Sequence, residues 1–487
     1  MSSKRASASV FAFCGRTRLV ILVLGTLNLS LLMGSTICFN PALIMMTNTT
    51  SSPLFRSNSS EIDFNSPNLA LNDRRFIYST LQKSLLLSVM PAGCLLGMIP
   101  VNLSIQRFGI HVTLTVIGTI TAFSTALIPF AATTGFPVFI VFRVIQGFAL
   151  TVLFPTIGAI TSRWAKEDEN GVFVSILTGY IQLSSIFSMP LSGVIGSKIG
   201  WTAIFYFHAA VCALLTLLWL LFYRNSPSDH PFISAQEIDE ISAGKSANAA
   251  AQQVSLPYSH PLTAQSLCQV PYRAILASKA VWAVWIAVVG NMLLAQFTIS
   301  FLPMYLSWAL NFSIRSSSAV SAIPLVVQFV LKFITGLASD RLSLLSEIAK
   351  VRICNSLAFF GSAALLVAIS FVPPGDKTTG AVLIILPLSM LGFNAGGYNK
   401  SAMLVSRQFS PTVMAGMQVL LALTMTVGAF IVPSFTPNST FQEYTHVFYI
   451  YAVVLVVTNI VFIVYGRAEP AEWTCSRETK NLDSDDA

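Results

Sequence analysis

Four basic residues interrupt stretches of the chain that are otherwise almost wholly apolar: Lys83, Arg143, Lys332 and Lys400. Each stretch runs for about 20 residues, the length needed to cross a bilayer as an α-helix. A charge at that depth is costly, and such residues usually mark a functional site with a nameable partner. On this reading all 20 acidic residues fall in loops or tails, so no carboxylate within the spans answers the four cations. Three compensations remain. The long side chains snorkel to an interface, backbone carbonyls and water solvate them, or an anion binds them.

Position along the span separates the four. Lys83 stands near the start of its run, where it either snorkels or lines the mouth of a cavity. Lys332 lies one helical turn before Gly336 and is placed to snorkel. Arg143 is about six residues inside its run, on the order of 9 Å deep at 1.5 Å per residue. It either braces the helix beside Gln146 or meets an anion. Lys400 follows "GFNAGGYN", a glycine-rich stretch that lets helices approach closely or opens a cavity; ligand contact and snorkelling are both open to it. The candidate substrate-binding set is Arg143, Gln146, Gln182, Asn291, Tyr398, Asn399, Lys400 and Lys83. Asn40, His208, Gln296 and Gln328 are further span polar residues, for which hydrogen bonding between helices is the ordinary role.

Other chemistries are absent. No His/Cys cluster has metal-ligand spacing, no glycine-rich phosphate loop occurs, and no Ser/His/Asp arrangement suggests a hydrolase. The expectation is a protein that is not an enzyme and holds neither a metal nor a cofactor.

The elements that must position these residues follow from composition. Of 487 residues 54% are hydrophobic and 10% charged, against about 25% charged in soluble domains. Apolar runs of this length without alternation exclude barrel strands. An all-α membrane protein with twelve transmembrane helices is expected, at about 19–46, 82–104, 112–131, 138–161, 171–195, 202–223, 280–308, 318–338, 353–372, 380–404, 412–434 and 445–466. The first run is too long for a signal-peptide core and reads as a retained helix. Basic residues such as Arg16, Arg18, Arg163, Lys166, Arg224, Arg273 and Arg467 gather on the tails and on one set of loops, which puts both termini in the cytoplasm. The sequons at Asn48, Asn58, Asn311 and Asn438 fall on the opposite loops and are candidate glycosylation sites. The net charge of +8 is mostly this bias, and with no dense basic run nucleic-acid binding is excluded. None of the seven cysteines lies on an outside loop, so no disulfide framework is implied.

A polar segment divides the spans evenly. The chain reads as a cytoplasmic tail 1–18, a six-helix half 19–223, a cytoplasmic linker 224–279, a second six-helix half 280–466 and a tail 467–487. Within the linker "AQEIDEI" could form a short surface helix, in a segment whose role is connection. The halves carry a faint repeat, "NLSIQRFG" after span two and "GLASDRLS" after span eight. These mark Gln106, Arg107, Asp340 and Arg341 as candidate gating residues.

"GLASDR" matches the G-x-x-[AS]-D-[RK] loop of the major facilitator superfamily, and "RVIQG" at Arg143 matches its fourth-span R-x-x-Q-G pattern. The runs "RVIQGFALTVLFPTIGAITSRWAKEDENG", "LSSIFSMPLSGVIGSKIGW", "SPSDHPFIS", "GFNAGGYNKSAML" and "AEPAEW" narrow the likeness. The chain resembles the sodium/phosphate cotransporter, sialin and vesicular glutamate transporter family over nearly its whole length, most weakly in the first ninety residues. The resemblance implies two six-helix halves with a site between them near the midplane, and transport of organic anions or phosphate coupled to Na⁺, H⁺ or voltage. It also implies a loop latch formed by Asp340 and Arg341.

The chain departs from the family at several places, among them Lys400, where relatives usually have an uncharged residue. Cys38-Phe39-Asn40 stands where relatives carry Arg-Val-Asn. Leu150 stands where many have Glu, and Asn291 where the glutamate transporters have Arg. Without that Glu, proton coupling through its position is not available. The expected function is secondary transport of a small organic anion or phosphate by a monomer. Na⁺ is a coupling-ion candidate, and the plasma membrane or a vesicle or lysosome membrane is the location. Span residues Pro155, Pro190, Gly147 and Gly193 would permit bends and close packing. The alternative is a non-transporting receptor or sensor on the same scaffold.

Overall fold

The computed structural model describes residues 16–47, 64–166, 169, 173, 176–242, 271–341, 345–373, 376–406 and 409–474, with the side chains at 106, 162, 242, 336–341, 410 and 411 outside that description. Every regular element among the described residues is helical. The long helices are α1 (Thr17–Thr47), α2 (Thr80–Ile105), α3 (Arg107–Thr134), α4 (Phe136–Thr161), α5 (Tyr180–Lys198), α6 (Trp201–Phe222), α7 (Lys279–Ala309), α8 (Ile314–Thr335), α9 (Glu347–Ile369), α10 (Lys377–Ser406), α11 (Thr412–Phe435) and α12 (Phe441–Tyr465). Eleven are long and apolar enough to cross a membrane. The twelfth, α5, occupies the place of the expected fifth span and carries Pro190 inside it.

The exposed faces agree with a lipid surround. Val453, Val457, Ile460 and Val464 are all exposed on one side of α12. In water that face would be polar; in a bilayer apolar side chains cover it at no cost. Three turns between helices pivot on glycine: Gly109, Gly135 and Gly200 have φ of 80°, 147° and 123°. A Cβ there is strained, so "RFGI", "TTGFP" and "KIGW" each turn the chain sharply.

Among the described residues five helices are broken within their length, α8 being interrupted at Ser321–Ala322. In α1 the regular helix stops at Ile37 and resumes at Phe39. In α4 it is interrupted at Val152, just before Pro155. In α7 two π-helical turns, Phe297–Phe301 and Tyr305–Ala309, flank Pro303. In α10 a 3-10 segment, Leu391–Ala395, leads into Gly396 and Gly397 before the helix resumes at Tyr398. Such irregularities release backbone carbonyls that side chains must answer.

The chain sorts into two compact units. One comprises residues up to Phe39, Val89–Ser188 and Ile199–Thr263; the other comprises Asn40–Ser88, Met189–Lys198 and Ala264 onward. In the first, α2 and α4 touch backbone to backbone: a Cβ on Gly147 would strike the Met90 carbonyl, and one on Gly93 the Val144 carbonyl. Trp219 stacks on Tyr223 with ring centroids 3.9 Å apart. In the second, Gly290 of α7 packs on Thr458 of α12 and Gly392 of α10 on Leu331 of α8.

The linker is more than a connection. "AQEIDEI" forms a helix, Ala235–Ser242, and its Glu237 is buried rather than on the surface. The Glu237 carboxylate accepts hydrogen bonds from the Thr17 and Arg18 amides at 3.0 and 2.9 Å. It thereby caps the first turn of α1, where unpaired N–H groups favour an anion. Arg18 also binds Glu169 at 2.9 Å and approaches Glu240 at 3.6 Å, and Lys166 binds Glu240. That ammonium holds the Glu240 carboxyl below the usual carboxylate range. We expect Glu237→Ala to destabilise the first unit by about 1.5–3 kcal/mol, the usual loss for hydrogen bonds to a charged group. Glu240→Ala, at an exposed position, should cost much less. Melting temperatures of the two variants in detergent check this ranking.

Candidate functional site

Arg143 is 1% exposed. Its guanidinium carbon lies 3.9 Å from the centre of the Phe39 ring, and Nη1 donates to Gln146 Oε1 at 2.7 Å. Gln146 passes the contact on, donating from Nε2 to Thr125 Oγ1 at 2.9 Å and to the Ser35 carbonyl at 3.4 Å. Phe39 meets Phe139 edge-on at 5.8 Å. The R-x-x-Q-G run is thus explained residue by residue: Arg143 and Gln146 bind the break in α1, and Gly147 admits α2. Of the two roles open to Arg143 the geometry displays the brace.

Lys400 requires a correction. Its Nζ lies 3.0 Å from Glu347 Oε2, and Lys350 binds the other oxygen of the same carboxylate at 2.7 Å. The expected ninth span began at 353, leaving Glu347 in a loop; the helix begins at Glu347 itself. The premise that no carboxylate reaches the span cations therefore fails at Lys400, which ties the last part of α10 to the first turn of α9.

Asn291, Tyr398 and Asn399 do come together. Asn394, which was not singled out, donates to Asn291 Oδ1, and Asn399 Nδ2 donates to the Asn394 carbonyl at 3.3 Å. The buried Tyr398 hydroxyl is within reach of Asn399 and Asn291. Asn394 Oδ1 is buried with no hydrogen-bond partner. This polar knot sits where α10 changes to a 3-10 helix, a signal available in "GFNAGG".

Lys83 lies against an open cleft in the second unit. Its Nζ is 5.4 Å from the centre of the Trp308 ring. The walls are Leu43, Leu87, Phe301, Met304 and Val432, with Thr80, Thr436, Ser439 and Tyr444 adding hydroxyls. Trp308 was not anticipated, because nothing in sequence links it to Lys83.

The remaining candidates are dispersed. Gln182 is buried in α5 with Oε1 unpartnered. The Arg107 guanidinium lies 5.5 Å from the centre of the Phe108 ring, while the side chains of Gln106, Asp340 and Arg341 lie outside the description. Asn311 and Asn438 are exposed, and Asn438 donates to Glu443 at 2.9 Å; Asn48 and Asn58 lie outside the described residues. His208 shares Nδ1 with the Ile204 carbonyl at 2.8 Å, a packing contact. Cys38, Cys94 and Cys212 are buried thiols outside any disulfide. No group of three metal-ligating side chains occurs among the described residues.

Comparison with known proteins adds the following. The Major Facilitator Superfamily profile matches residues 24–433. Human sialin is 26% identical over 356 residues, covering 72% of this chain and 69% of that protein. Mouse sodium-dependent phosphate transport protein 3 is 26% identical over 419 residues, covering 83% and 80%. Human vesicular glutamate transporter 2 is 26% identical over 360 residues, covering 72% and 59%. Among solved structures, a D-xylose-proton symporter superposes with TM-score 0.67 at 13% identity over 92% of this chain and 98% of that one. A bacterial homologue of the lysosomal transporter Spinster gives 0.61 at 14% identity, covering 93% and 97%.

The two basic sites should respond differently to mutation. Lys lacks the planar fork that serves Phe39 and Gln146 together. Arg143→Lys should therefore lose about 1.5–3 kcal/mol of stability, close to the loss in Arg143→Ala. Lys400→Gln breaks a pair whose Glu347 side chain is 47% exposed, so its loss should stay below about 1 kcal/mol. Thermal melting of the purified variants decides both.

Proposed function

The chain belongs to the Major Facilitator Superfamily, and from that membership we propose a secondary carrier of a small organic anion or inorganic phosphate that works by alternating access. It is an integral multi-pass membrane transporter and not an enzyme. One observation carries the anion reading: Lys83 near the start of α2, Arg143 inside α4 and Lys332 near the end of α8 interrupt apolar helices and are all positive. The named relatives support it, being a sialin, a phosphate transporter and a glutamate transporter. At 26% identity the chain is a divergent relative of that branch. Neither the fold nor the relatives favour a receptor that does not transport.

Within this reading Arg143, Gln146, Gln182, Lys83, Asn291, Tyr398 and Asn399 are the candidate anion-binding residues. Lys400 anchors α10 instead. Leu150 is buried and cannot titrate, so a proton step through that position is not part of the mechanism. Na⁺, held by carbonyl and hydroxyl oxygens as hard cations require, is the coupling candidate. The relative named as sodium-dependent is its support. We place the carrier, as a functional monomer, in the plasma membrane or a vesicle or lysosome membrane with both termini cytoplasmic. Asp340 and Arg341, with Gln106 and Arg107, act as its gate.

The test is uptake of labelled anions into proteoliposomes, with Na⁺, H⁺ and voltage gradients imposed separately. Expected is saturable flux of at least one anion, driven by Na⁺ or voltage and indifferent to a pH gradient. Flux following the pH gradient alone would remove the coupling assignment, and no flux of any anion would remove the carrier. Orientation has its own readout. A glycan should be lost from the protein in Asn311→Gln, seen as a smaller mass shift on endoglycosidase treatment.

A further inference from the structure

We propose that the Lys83–Trp308 cleft is a binding site for monoanionic carboxylates with an apolar body, a site separate from Arg143. The proposal rests on the carrier reading and narrows its substrate class.

Charge sets the first limit. Lys83 is the only charged residue among the described residues lining the cleft. One ammonium matches one carboxylate. Inorganic phosphate, polar on every side and largely dianionic, would bring a second charge that no further cation lining the cleft meets and press oxygens against Phe301 and Met304. Shape sets the second. The Trp308 ring, beside the ammonium at 5.4 Å, keeps the cation at the edge of the cleft. It also offers a flat face on which an aromatic or branched apolar body can stack.

The backbone shows that the wall is built rather than accidental. Phe301, Met304 and Trp308 come from the part of α7 that contains both π turns, a deviation found mostly at functional positions. The first π turn is pinned from outside the helix, since Asn40 Nδ2 donates to the Ile299 carbonyl at 2.9 Å in a buried contact. On the opposite side the Tyr444 hydroxyl is held by Ser439 and Thr436 at the α11–α12 turn. Two polar clamps therefore fix two walls of one cleft, and Lys83 stands at its rim.

The experiment uses the full chain. Equilibrium binding of labelled benzoate is measured in detergent, with unlabelled phosphate and oleate as competitors, for the wild type, Lys83→Gln, Lys83→Arg and Trp308→Ala. Flux of benzoate is measured in parallel in proteoliposomes. Expected is saturable benzoate binding, weakened about tenfold or more in Lys83→Gln and in Trp308→Ala and kept within about threefold in Lys83→Arg, as loss or retention of one close charge contact implies. Phosphate should compete poorly. Retained affinity in Lys83→Arg shows that the fold survives at this position. No benzoate binding by the wild type, unchanged affinity in Lys83→Gln, or displacement by phosphate as readily as by benzoate each overturns the site. Displacement of benzoate by oleate, itself a monoanionic carboxylate with an apolar body, upholds the site. Lys83-dependent benzoate binding without flux of any anion upholds the site while removing the carrier. Anion flux indifferent to both substitutions, with benzoate unbound, removes the site and leaves the carrier standing.

Discussion

A backbone carbonyl released inside a bilayer has no water to turn to, so another helix must supply a donor. Three breaks in this protein are answered in that way. The Ser35 carbonyl, at the interruption of α1, receives Gln146 from α4. The Ile299 carbonyl, in the π turn of α7, receives Asn40 from α1. The Leu388 carbonyl, where α10 tightens into its 3-10 segment, receives Gln328 from α8 at 2.7 Å. Each bond joins a helix irregularity to a neighbouring helix, so distortion and packing are stabilised together. Removing one such amide leaves a buried acceptor bare, which costs more than the bond itself contributes.

The helices were legible in the sequence because lipid imposes a simple rule, about 20 apolar residues per crossing. The proline-bearing spans, with Pro155 and Pro190, were legible as well. The side-chain roles were much less so. Asn40, Gln146 and Gln328 look alike in sequence, as polar residues in apolar runs, and only the structure distinguishes an amide facing a cavity from one bound to a carbonyl. Lys400 was misread through a helix boundary. Glu347 opens α9 six residues before the apolar run begins, because Ser346 caps the helix and the first turn tolerates an acid. Trp308 could not be anticipated at all, since 225 residues separate it from Lys83 and no pattern spans that interval.

Charge is handled by two strategies. Near the first turn of α1, Arg18 lies among three carboxylates, Glu169, Glu237 and Glu240. That cluster reads as architecture. Within the spans, Arg143 is met by an aromatic face and an amide, and Lys83 by an indole. Aromatic rings hold a cation without neutralising it. A positive potential therefore persists beside these groups, where a formal ion pair would have cancelled it.

The two π turns of α7 also bear on how such a protein could diverge. A π turn amounts to one residue inserted into an α-helix, and each residue in a helix turns the chain by about 100°. Loss of a single residue from the first π turn, Phe297–Phe301, would make that turn α-helical and rotate Trp308 away from Lys83 without altering either side chain. The cleft is therefore adjustable by length as well as by composition. Two descendants with the same lining residues could differ in cargo through one codon gained or lost.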